Sequence, residues 1–286
     1  MARQTGNTDP IARALWFIES HFAQDITLDE AARVAAVSRY HLSRTFGLAT
    51  GRGLMAYVRG RRLSEAARAL AAGAPDILAV ALEWGYGSHE AFTRAFREHF
   101  DLTPEAVRAR GHVEGLPLLK ALRLDDSNLT PLDPPRIESE HTLLLAGINE
   151  RYSSNASASI PAQWQHLRPH LGHVPGQVGS TAYGVVHDGD DAGNAEYLCG
   201  VEVLDFSALP AGWSRLRIPA QRYAVFTHTD HVSALRRSWF AIWNKGLPDA
   251  GLEATGGPEF ERYDDRFDGD TGQGGVEIWI PVAARN

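Results

Sequence analysis

The sequence of 286 residues has a single cysteine, Cys199, which excludes an intrachain disulfide. A chain without disulfides fits a reducing compartment. The sequence also lacks any run close to the ~20 apolar residues that a membrane-spanning helix needs, and residues 1–6 contain no apolar signal region. We therefore expect a protein of the cytoplasm that has no membrane partner.

Lysine is absent from residues 1–112, which nevertheless carry 14 arginines against 12 acidic residues. Residues 113–286 carry 14 basic and 23 acidic residues, so the overall net charge of −7 comes from the second half. Seven arginines and one acidic residue, Glu65, fall between Arg39 and Arg68. This asymmetry predicts two domains with different partners, of which only the first suits a polyanion.

Strand signals are scarce in the first 110 residues, where apolar residues recur at helical spacing. Helix starts are well marked: Thr27 and Glu30 form a capping box, and Thr103-Pro104 opens a further helix. We predict about seven short helices here, so residues 1–110 form an all-α domain.

Two of the predicted helices share one pattern. Ser38–Phe46 reads Ser-x-x-x-Leu-x-Arg-x-Phe and Ser88–Phe96 reads Ser-x-x-x-Phe-x-Arg-x-Phe. The apolar residues of each pattern lie four apart and face a core, which leaves the intervening residues on the outside. We interpret the pair as a repeated helix-turn-helix unit, with Gly85 in the second turn and a long helix, Leu54–Ala72, joining the two.

These features resemble AraC-type transcription regulators over residues 9–110. The resemblance includes the serine caps, the glycine turn, both helices that end in phenylalanine and the closing Thr103-Pro104, while Asp101 replaces a glycine that is typical of the family. It implies binding to double-stranded DNA, with each recognition helix in a major groove. Two such helices reach successive grooves when they lie about one DNA turn, ~34 Å, apart.

The outward-facing residues of the two recognition helices are the predicted DNA contacts. Arg44 and Arg94 occupy equivalent positions and are the first candidates for guanine or phosphate contacts. Glu90 has two interpretations, acceptance of a hydrogen bond from a cytosine amino group or favourable placement in the first turn of its helix. The remaining base-contact candidates are Tyr40, Ser43, His89 and Thr93, and the phosphate candidates are Arg59, Arg61 and Arg62.

Residues 111–135 combine a short apolar stretch with aspartate and proline clusters, which predicts a linker. Strand signals then dominate residues 136–286, interrupted by helical patterns at 160–171 and 232–245. The order strand, helix, strand, strand occurs twice, and each repeat ends alike, in Gly200-Val201-Glu202-Val203 and Gly275-Val276-Glu277-Ile278. A duplicated α+β domain is therefore predicted.

This second half resembles the GyrI-like effector-binding domain, which also ends Rob-type AraC regulators and the multidrug sensor BmrR. The resemblance covers residues 136–284 and depends on the order of several short motifs, namely Tyr183-Gly184-Val185, Gly200–Val203, Ile218–Phe226, Phe260–Tyr263 and Glu277–Val282. It implies that a small lipophilic molecule, often cationic, binds in a cleft between the two repeats.

Carboxylates beside aromatic rings are the residues that such an organic cation requires. The resemblance favours Glu277 as the binding acid, with Glu261 as the second candidate. Period-two alternation places Glu277 and Trp279 on one strand face, although Glu277 could equally face solvent and the aromatic residues could be core. The aromatic candidates are Trp239, Trp243, Tyr183, Tyr263 and Trp279.

Together these patterns predict a transcription regulator, with a lean toward activation, whose partners are promoter DNA, a small effector and RNA polymerase. We expect no cofactor, metal or catalysis: Pro169 interrupts the spacing of His166, His170 and His173, and no ligand completes that set. The alternatives are a GyrI-like hydrolase that uses Glu277 or Glu261 as general base and an interaction domain without a small ligand.

Overall fold

The computed structural model describes residues 10–122, 131–152, 160–190 and 194–284. Their contacts divide the chain into two compact units. The first unit contains residues up to 42 and residues 53–125, and the second contains residues 43–52 together with residues from 126 onward. No helix among these described residues is long and apolar enough to cross a membrane.

The N-terminal region is helical, as predicted. Its helices are α1 (Pro10–His21), α2 (Leu28–Ala35), α3 (Arg39–Thr50), α4 (Leu54–Ala71), α5 (Ile77–Glu83), α6 (His89–Phe100) and α7 (Pro104–Arg110). The helix starts follow from local chemistry, because Thr27, Asp76, Ser88 and Thr103 each accept a hydrogen bond from a backbone N–H in the first turn. Thr27 and Glu30 form the predicted capping box.

The core of the second helix-turn-helix is built from one face of α4, α5 and α6. Leu63 and Leu70 of α4 pack with Phe92, Phe96 and Phe100 in a single buried cluster. Phe92 and Phe96 meet edge-on with ring centroids 5.4 Å apart, and Phe96 and Phe100 form a tilted pair with centroids 4.7 Å apart. The spacing of four residues thus gives α6 one buried stripe and leaves its opposite face outside.

The segment predicted as a linker is structured in its first part. Leu116 and Leu118 pack on the α4–α6 core, and the backbone N–H of Leu119 donates to the Ser64 hydroxyl at 2.8 Å. The backbone N–H of Leu122 donates to the Tyr57 hydroxyl at 3.0 Å. Residues up to 122 therefore extend the helical unit, and residues 123–130 of the predicted linker lie outside the described ranges.

The second unit contains one large antiparallel sheet and two helical segments. Its strands are β1 (Arg136–Glu140), β2 (Leu143–Tyr152), β3 (Gln177–His187), β4 (Ala195–Val203), β5 (Ser214–Ile218), β6 (Gln221–His228), β7 (Leu252–Ala254), β8 (Glu259–Tyr263) and β9 (Val276–Ala284). Helix α8 (Ile160–Leu167) follows β2. Helix α9 (Leu235–Ala241) follows β6 and continues through a π-helical turn, Ile242–Gly246, into α10 (Leu247–Asp249).

The sheet confirms the duplicated α+β arrangement. Its strand order is β1-β6-β9-β8-β3-β4-β2-β5, with β7 paired to β9. The repeat β2-α8-β3-β4 corresponds to β6-α9-β8-β9, and the two repeats meet where β3 pairs with β8. Strands β1 and β6 lie at one end of the strand order, and β2 and β5 lie at the other. Because short links join β1 to β2 and β5 to β6, the sheet curls and its two edges approach each other.

The two faces of this curled sheet differ in chemistry. The inner face holds an apolar cluster that includes Leu145, Val185, Leu198, Tyr223 and Phe260. On the outer face, α8 covers β4 through a cluster of Leu167, Tyr197 and Cys199. Because side chains alternate along a strand, neighbouring residues of β8 and β9 belong to opposite faces.

Candidate functional site

The surface of α6 carries the predicted second recognition residues. Glu90 and Arg94 are exposed, while His89 and Thr93 are half-buried. His89 Nε2 lies 3.4 Å from Glu105 Oε1 at the start of α7. Glu90 and Arg94 lie opposite Phe92 on the helix, whereas His89 and Thr93 flank it and the Thr93 hydroxyl is buried. The four residues line one concave strip of the α6 surface.

Glu90 takes part in the first turn of α6. Hydrogen bonds from its own backbone N–H and from the Ser88 hydroxyl lower the pKa of the Glu90 carboxyl. A carboxylate at this position also benefits from the positive end of the helix dipole. These contacts agree with the second of the two interpretations, placement at the helix start.

The residues of α3 occupy a more covered position. Tyr40 and Ser43 are half-buried, and Leu42 and Phe46 form the buried side of the helix. Arg44, which groups with the second unit, donates from Nη2 to Glu259 Oε2 at 2.8 Å and from Nε to the same oxygen at 3.2 Å. The predicted DNA contact Arg44 is therefore engaged with a carboxylate in this structure.

Of the three predicted phosphate contacts, only Arg59 is exposed. Arg61 is 7 % exposed and forms salt bridges of 2.9 Å with both Glu19 and Glu65. The guanidinium of Arg62 donates to the backbone carbonyls of Phe22 and Gln24. The arginine run is thus partly a structural feature, in which Arg61 and Arg62 hold α1 against α4.

The main polar site of the second unit is Glu261, in the middle of β8. Its side chain is on the outer face, and the residue is 6 % exposed. Trp239 Nε1 donates to Oε1 at 2.8 Å, and the hydroxyls of Tyr197 and Tyr263 donate to Oε2 at 2.9 and 3.0 Å. These three donors satisfy both oxygens of the carboxylate with hydrogen bonds. Because the donors are neutral, they do not cancel the negative charge of Glu261.

The electrostatics of this cluster follow from burial. Desolvation raises the pKa of Glu261, and the hydrogen bonds from Trp239, Tyr197 and Tyr263 oppose that rise. Burial also raises the pKa values of Tyr197 and Tyr263 well above 10.0, and the Glu261 charge adds to the effect. Both hydroxyls are therefore protonated donors at neutral pH.

An aromatic shell surrounds the carboxylate. Trp164 of α8 donates from Nε1 to the Tyr197 hydroxyl at 3.0 Å, and its ring centroid lies 4.9 Å from that of Tyr263. Each repeat thus contributes one helix tryptophan, Trp164 or Trp239, to the same cluster. The alternation of β4 could have indicated Tyr197, but Trp164 is recognisable only when the helix is placed over the sheet.

The structure separates the sequence candidates into two groups. Trp239, Tyr263 and Glu261 are brought together on the outer face. Tyr183 and Trp279 belong to the apolar cluster of the inner face. Trp243 is fully buried within the π-helical turn.

Glu277 lies on the inner-face side of its strand, away from Glu261. Its Oε1 pairs with Arg136 Nη2 at 2.7 Å, and its Oε2 accepts from Trp279 Nε1 at 3.1 Å. Glu277 thus has an arginine as its ion-pair partner, and its assignment as the principal pocket acid stays a prediction. The buried carboxylate surrounded by aromatic residues is Glu261, the second candidate.

Within the described residues, no group of three or more histidine, cysteine, aspartate or glutamate side chains could hold a metal ion. The Glu261 cluster combines a buried carboxylate with the rings of Trp239, Tyr197 and Tyr263. A desolvated carboxylate supplies negative charge, and the faces of tryptophan and tyrosine attract a cation. Apolar surface with a few polar groups is also the usual composition of small-molecule sites.

Comparison with known families matches both halves of the chain. Residues 133–283 match the GyrI-like small molecule binding domain. The chain belongs to the GyrI-like family. Residues 31–110 match a helix-turn-helix domain of the AraC type, so the protein has an AraC-type DNA-binding region followed by a GyrI-like domain.

Two relatives match nearly the whole chain, and a third matches about half of it. The chain is 28 % identical to the transcriptional regulator Rob of Salmonella typhimurium, over 94 % of this chain and 96 % of the relative. It is 26 % identical to the right origin-binding protein of Escherichia coli strain K12, over the same shares. It is also 32 % identical to the transcriptional regulator BrlR of Pseudomonas aeruginosa, over 46 % of this chain and 50 % of BrlR. This member of the GyrI-like family is therefore a transcriptional regulator with a DNA-binding domain and a small-molecule-binding domain.

Proposed function

We propose that this protein is an effector-controlled transcription activator whose effector is a small lipophilic cation bound at Glu261. The observation that carries the proposal is the buried Glu261 carboxylate, which Trp239, Tyr197 and Tyr263 surround as hydrogen-bond donors. A cation that enters this cluster gains the charge of Glu261 and the aromatic faces together. A neutral ligand would gain only the apolar contacts.

The binding test uses the full-length protein and tetraphenylphosphonium as a lipophilic cation without hydrogen-bond donors. Isothermal titration calorimetry should give saturable binding to the wild type. Glu261→Gln keeps the shape of the side chain and removes its charge, so we expect at least about a tenfold loss of affinity, equivalent to ~1.4 kcal/mol.

Glu277→Gln is the matched control, because it removes a carboxylate from the opposite side of the sheet where Arg136 already neutralises it. We expect its affinity for tetraphenylphosphonium to remain within about twofold of the wild type. Equal losses in the two variants, or a loss only in Glu277→Gln, would contradict the assignment of Glu261.

The proposed DNA contacts are the polar residues of α6 and α3. Exposed Arg94 and Glu90, with His89 and Thr93, form the α6 strip, and Tyr40 and Ser43 occupy the corresponding positions of α3. Arg59 is the proposed phosphate contact near α4, because its side chain is exposed. Contacts to base edges would give sequence preference, whereas Arg59 would add affinity for any sequence.

Activation requires contact with RNA polymerase and a change in DNA affinity when effector binds. We propose that the effector favours the DNA-bound state, since a ligand alters an equilibrium only by binding its states unequally. In vitro transcription from a promoter that carries a selected binding site measures the result. Added tetraphenylphosphonium should increase transcript yield with the wild type and leave it unchanged with Glu261→Gln.

Hydrolysis of a reactive small molecule is the second candidate function, since Glu261 lies beside two tyrosine hydroxyls. We favour binding over turnover because both carboxylate oxygens of Glu261 already accept hydrogen bonds from Trp239, Tyr197 and Tyr263, which compete with proton abstraction from a water. Long incubation of the protein with an electrophilic ester panel distinguishes the two. Quantitative recovery of every ester supports binding, and catalytic consumption that Glu261→Gln abolishes would support the hydrolase.

A further inference from the structure

Glu259, the first residue of β8, is a second fully buried carboxylate on the same face as Glu261. Alternate residues of a strand project to the same side, and their Cα atoms lie about 6.6 Å apart. The register agrees with this placement, because Glu259 pairs with Val186 and Glu261 with Gly184 on β3. The outer face of β8 therefore presents two buried acids in one row.

A cation already lies at this row. Arg44 places Nη2 2.8 Å from Glu259 Oε2, and its guanidinium carbon lies 5.5 Å from the centroid of the Trp239 ring. Trp239 also donates from Nε1 to Glu261 Oε1 at 2.8 Å. The positive charge of Arg44 also reaches Glu261, because it helps to oppose the rise in the pKa of that carboxyl.

The segment that carries Arg44 has a second attachment to α9. Arg236, three residues before Trp239, donates from Nε to the Leu48 carbonyl at 3.1 Å and from Nη2 to the Gly47 carbonyl at 3.3 Å. Residues 43–52 group with the second unit for this reason among others. Arg44 is thus held at Trp239 by backbone contacts as well as by its own charge.

We infer that Glu259 is a second cation subsite of the effector site, and that Arg44 is its resident occupant, which a cationic effector displaces. This inference rests on the proposed binding of a cation at Glu261. The geometry explains it, because Arg44 lies over one side of the same Trp239 ring that a cation at Glu261 would use. Effectors with two cationic groups about 6.6 Å apart would occupy both carboxylates.

Displacement makes a clear prediction about affinity. An effector binds more weakly when it must first displace Arg44 than when Arg44 is absent. The reason is that apparent affinity falls with the fraction of protein molecules in which the site is open to the ligand. Removing Arg44 alone takes a salt bridge from the buried Glu259 carboxylate, which destabilises a fold. The double variant Arg44→Gln/Glu259→Gln removes both charges and avoids that penalty.

The experiment is a calorimetric titration of tetraphenylphosphonium into full-length wild type, Arg44→Gln and Arg44→Gln/Glu259→Gln. We expect affinity to increase by about tenfold or more in Arg44→Gln, a change of ~1.4 kcal/mol. The gain should be smaller in Arg44→Gln/Glu259→Gln, which lacks the carboxylate of the subsite. Arg217→Gln is the matched control, because Arg217 is an exposed arginine of β5 in the same unit. Its affinity should equal that of the wild type.

The other outcomes separate the two proposals. If the variants bind tetraphenylphosphonium as the wild type does, while Glu261→Gln loses binding, Arg44 is not an occupant of the effector site and only this inference fails. If no protein binds the probe, including the variants without Arg44, the proposed cation site fails and the inference fails with it. Binding that appears only when Arg44 is removed supports both.

Discussion

Gly184 and Glu261 face each other directly across the junction of the two repeats, as a register pair between β3 and β8. A Cβ atom at Gly184 would lie 2.1 Å from the Tyr197 hydroxyl oxygen and 2.7 Å from Glu261 Oε2. The space for the hydrogen bond between Tyr197 and Glu261 therefore exists because residue 184 has no side chain. The two repeats meet at the same point where the carboxylate is held.

Gly184→Ala should accordingly weaken the site without changing any of its polar groups. The new methyl group must displace the Tyr197 hydroxyl or the Glu261 carboxylate, and overpacking of this kind costs about 1–3 kcal/mol of unfolding free energy. Urea denaturation measures that cost, and titration with tetraphenylphosphonium measures the accompanying loss of affinity.

Gly189→Ala provides the control for this substitution, since its nearest contact would be the Asn194 carbonyl at an ordinary 3.8 Å. It should leave the affinity for tetraphenylphosphonium unchanged. Normal binding by Gly184→Ala would show that the Tyr197–Glu261 contact is unimportant for the ligand.

Effector binding should depend on pH through Glu261. Burial raises the pKa of this carboxyl above its ordinary value of 4.5, so protonation begins at a higher pH than for an exposed glutamate. Only the ionised form attracts a cation, and affinity should therefore fall as pH decreases through the raised pKa. The folding stability depends on pH in the opposite direction, because the pKa of Glu261 is higher in the folded than in the unfolded state. The contribution of Glu261 to stability is fully present below pH 4.5 and is lost as pH rises through the folded-state pKa.

Calorimetric titrations of tetraphenylphosphonium across the acidic range, in buffers of matched ionic strength, measure this dependence. Glu261→Gln has no carboxyl to titrate, and its residual affinity should be flat over the same range. A wild-type profile as flat as that of the variant would show that Glu261 does not supply the charge.

Arg94 and Arg61 should respond in opposite ways to truncation. Exposed Arg94 makes no contribution to the α4–α6 core, so Arg94→Ala should weaken binding to a selected DNA site by about 1–3 kcal/mol and leave the unfolding temperature unchanged. Arg61→Ala leaves Glu19 and Glu65 without their buried partner and should cost about 3–5 kcal/mol of folding stability.

Fluorescence anisotropy with labelled DNA and thermal unfolding, measured on both variants, distinguish these roles. The affinities for a selected site and for a scrambled duplex should be compared. Loss of a base contact changes the ratio of these two affinities, whereas loss of a phosphate contact lowers both equally. Loss of DNA affinity by a fully stable Arg61→Ala protein would show that Arg61 contacts phosphate as the sequence suggested.

Sequence periodicity was sufficient for the helices, because each depends on local signals such as the Thr27 cap and the four-residue spacing of Phe92 and Phe96. It was insufficient for the choice between Glu261 and Glu277. Alternation shows which residues of a strand share a face, but the covering of that face depends on pairing between β3 and β8, far apart in sequence. Charge patterning likewise could not distinguish exposed Arg59 from buried Arg61, because the acidic partner Glu19 lies in another helix.

Effector and DNA should influence each other's binding through Arg44, the residue that the sequence assigns to DNA and the structure pairs with Glu259. The bonds to Glu259 use Nε and Nη2 of Arg44, so displacement by a cation would release these donors to DNA. Thermodynamic linkage then requires that the factor by which tetraphenylphosphonium raises DNA affinity equals the factor by which DNA raises tetraphenylphosphonium affinity. Anisotropy and calorimetry on a site selected from random sequence measure the two factors. In Arg44→Gln both should fall to about one, whereas a factor that persists in this variant would place the coupling in other residues.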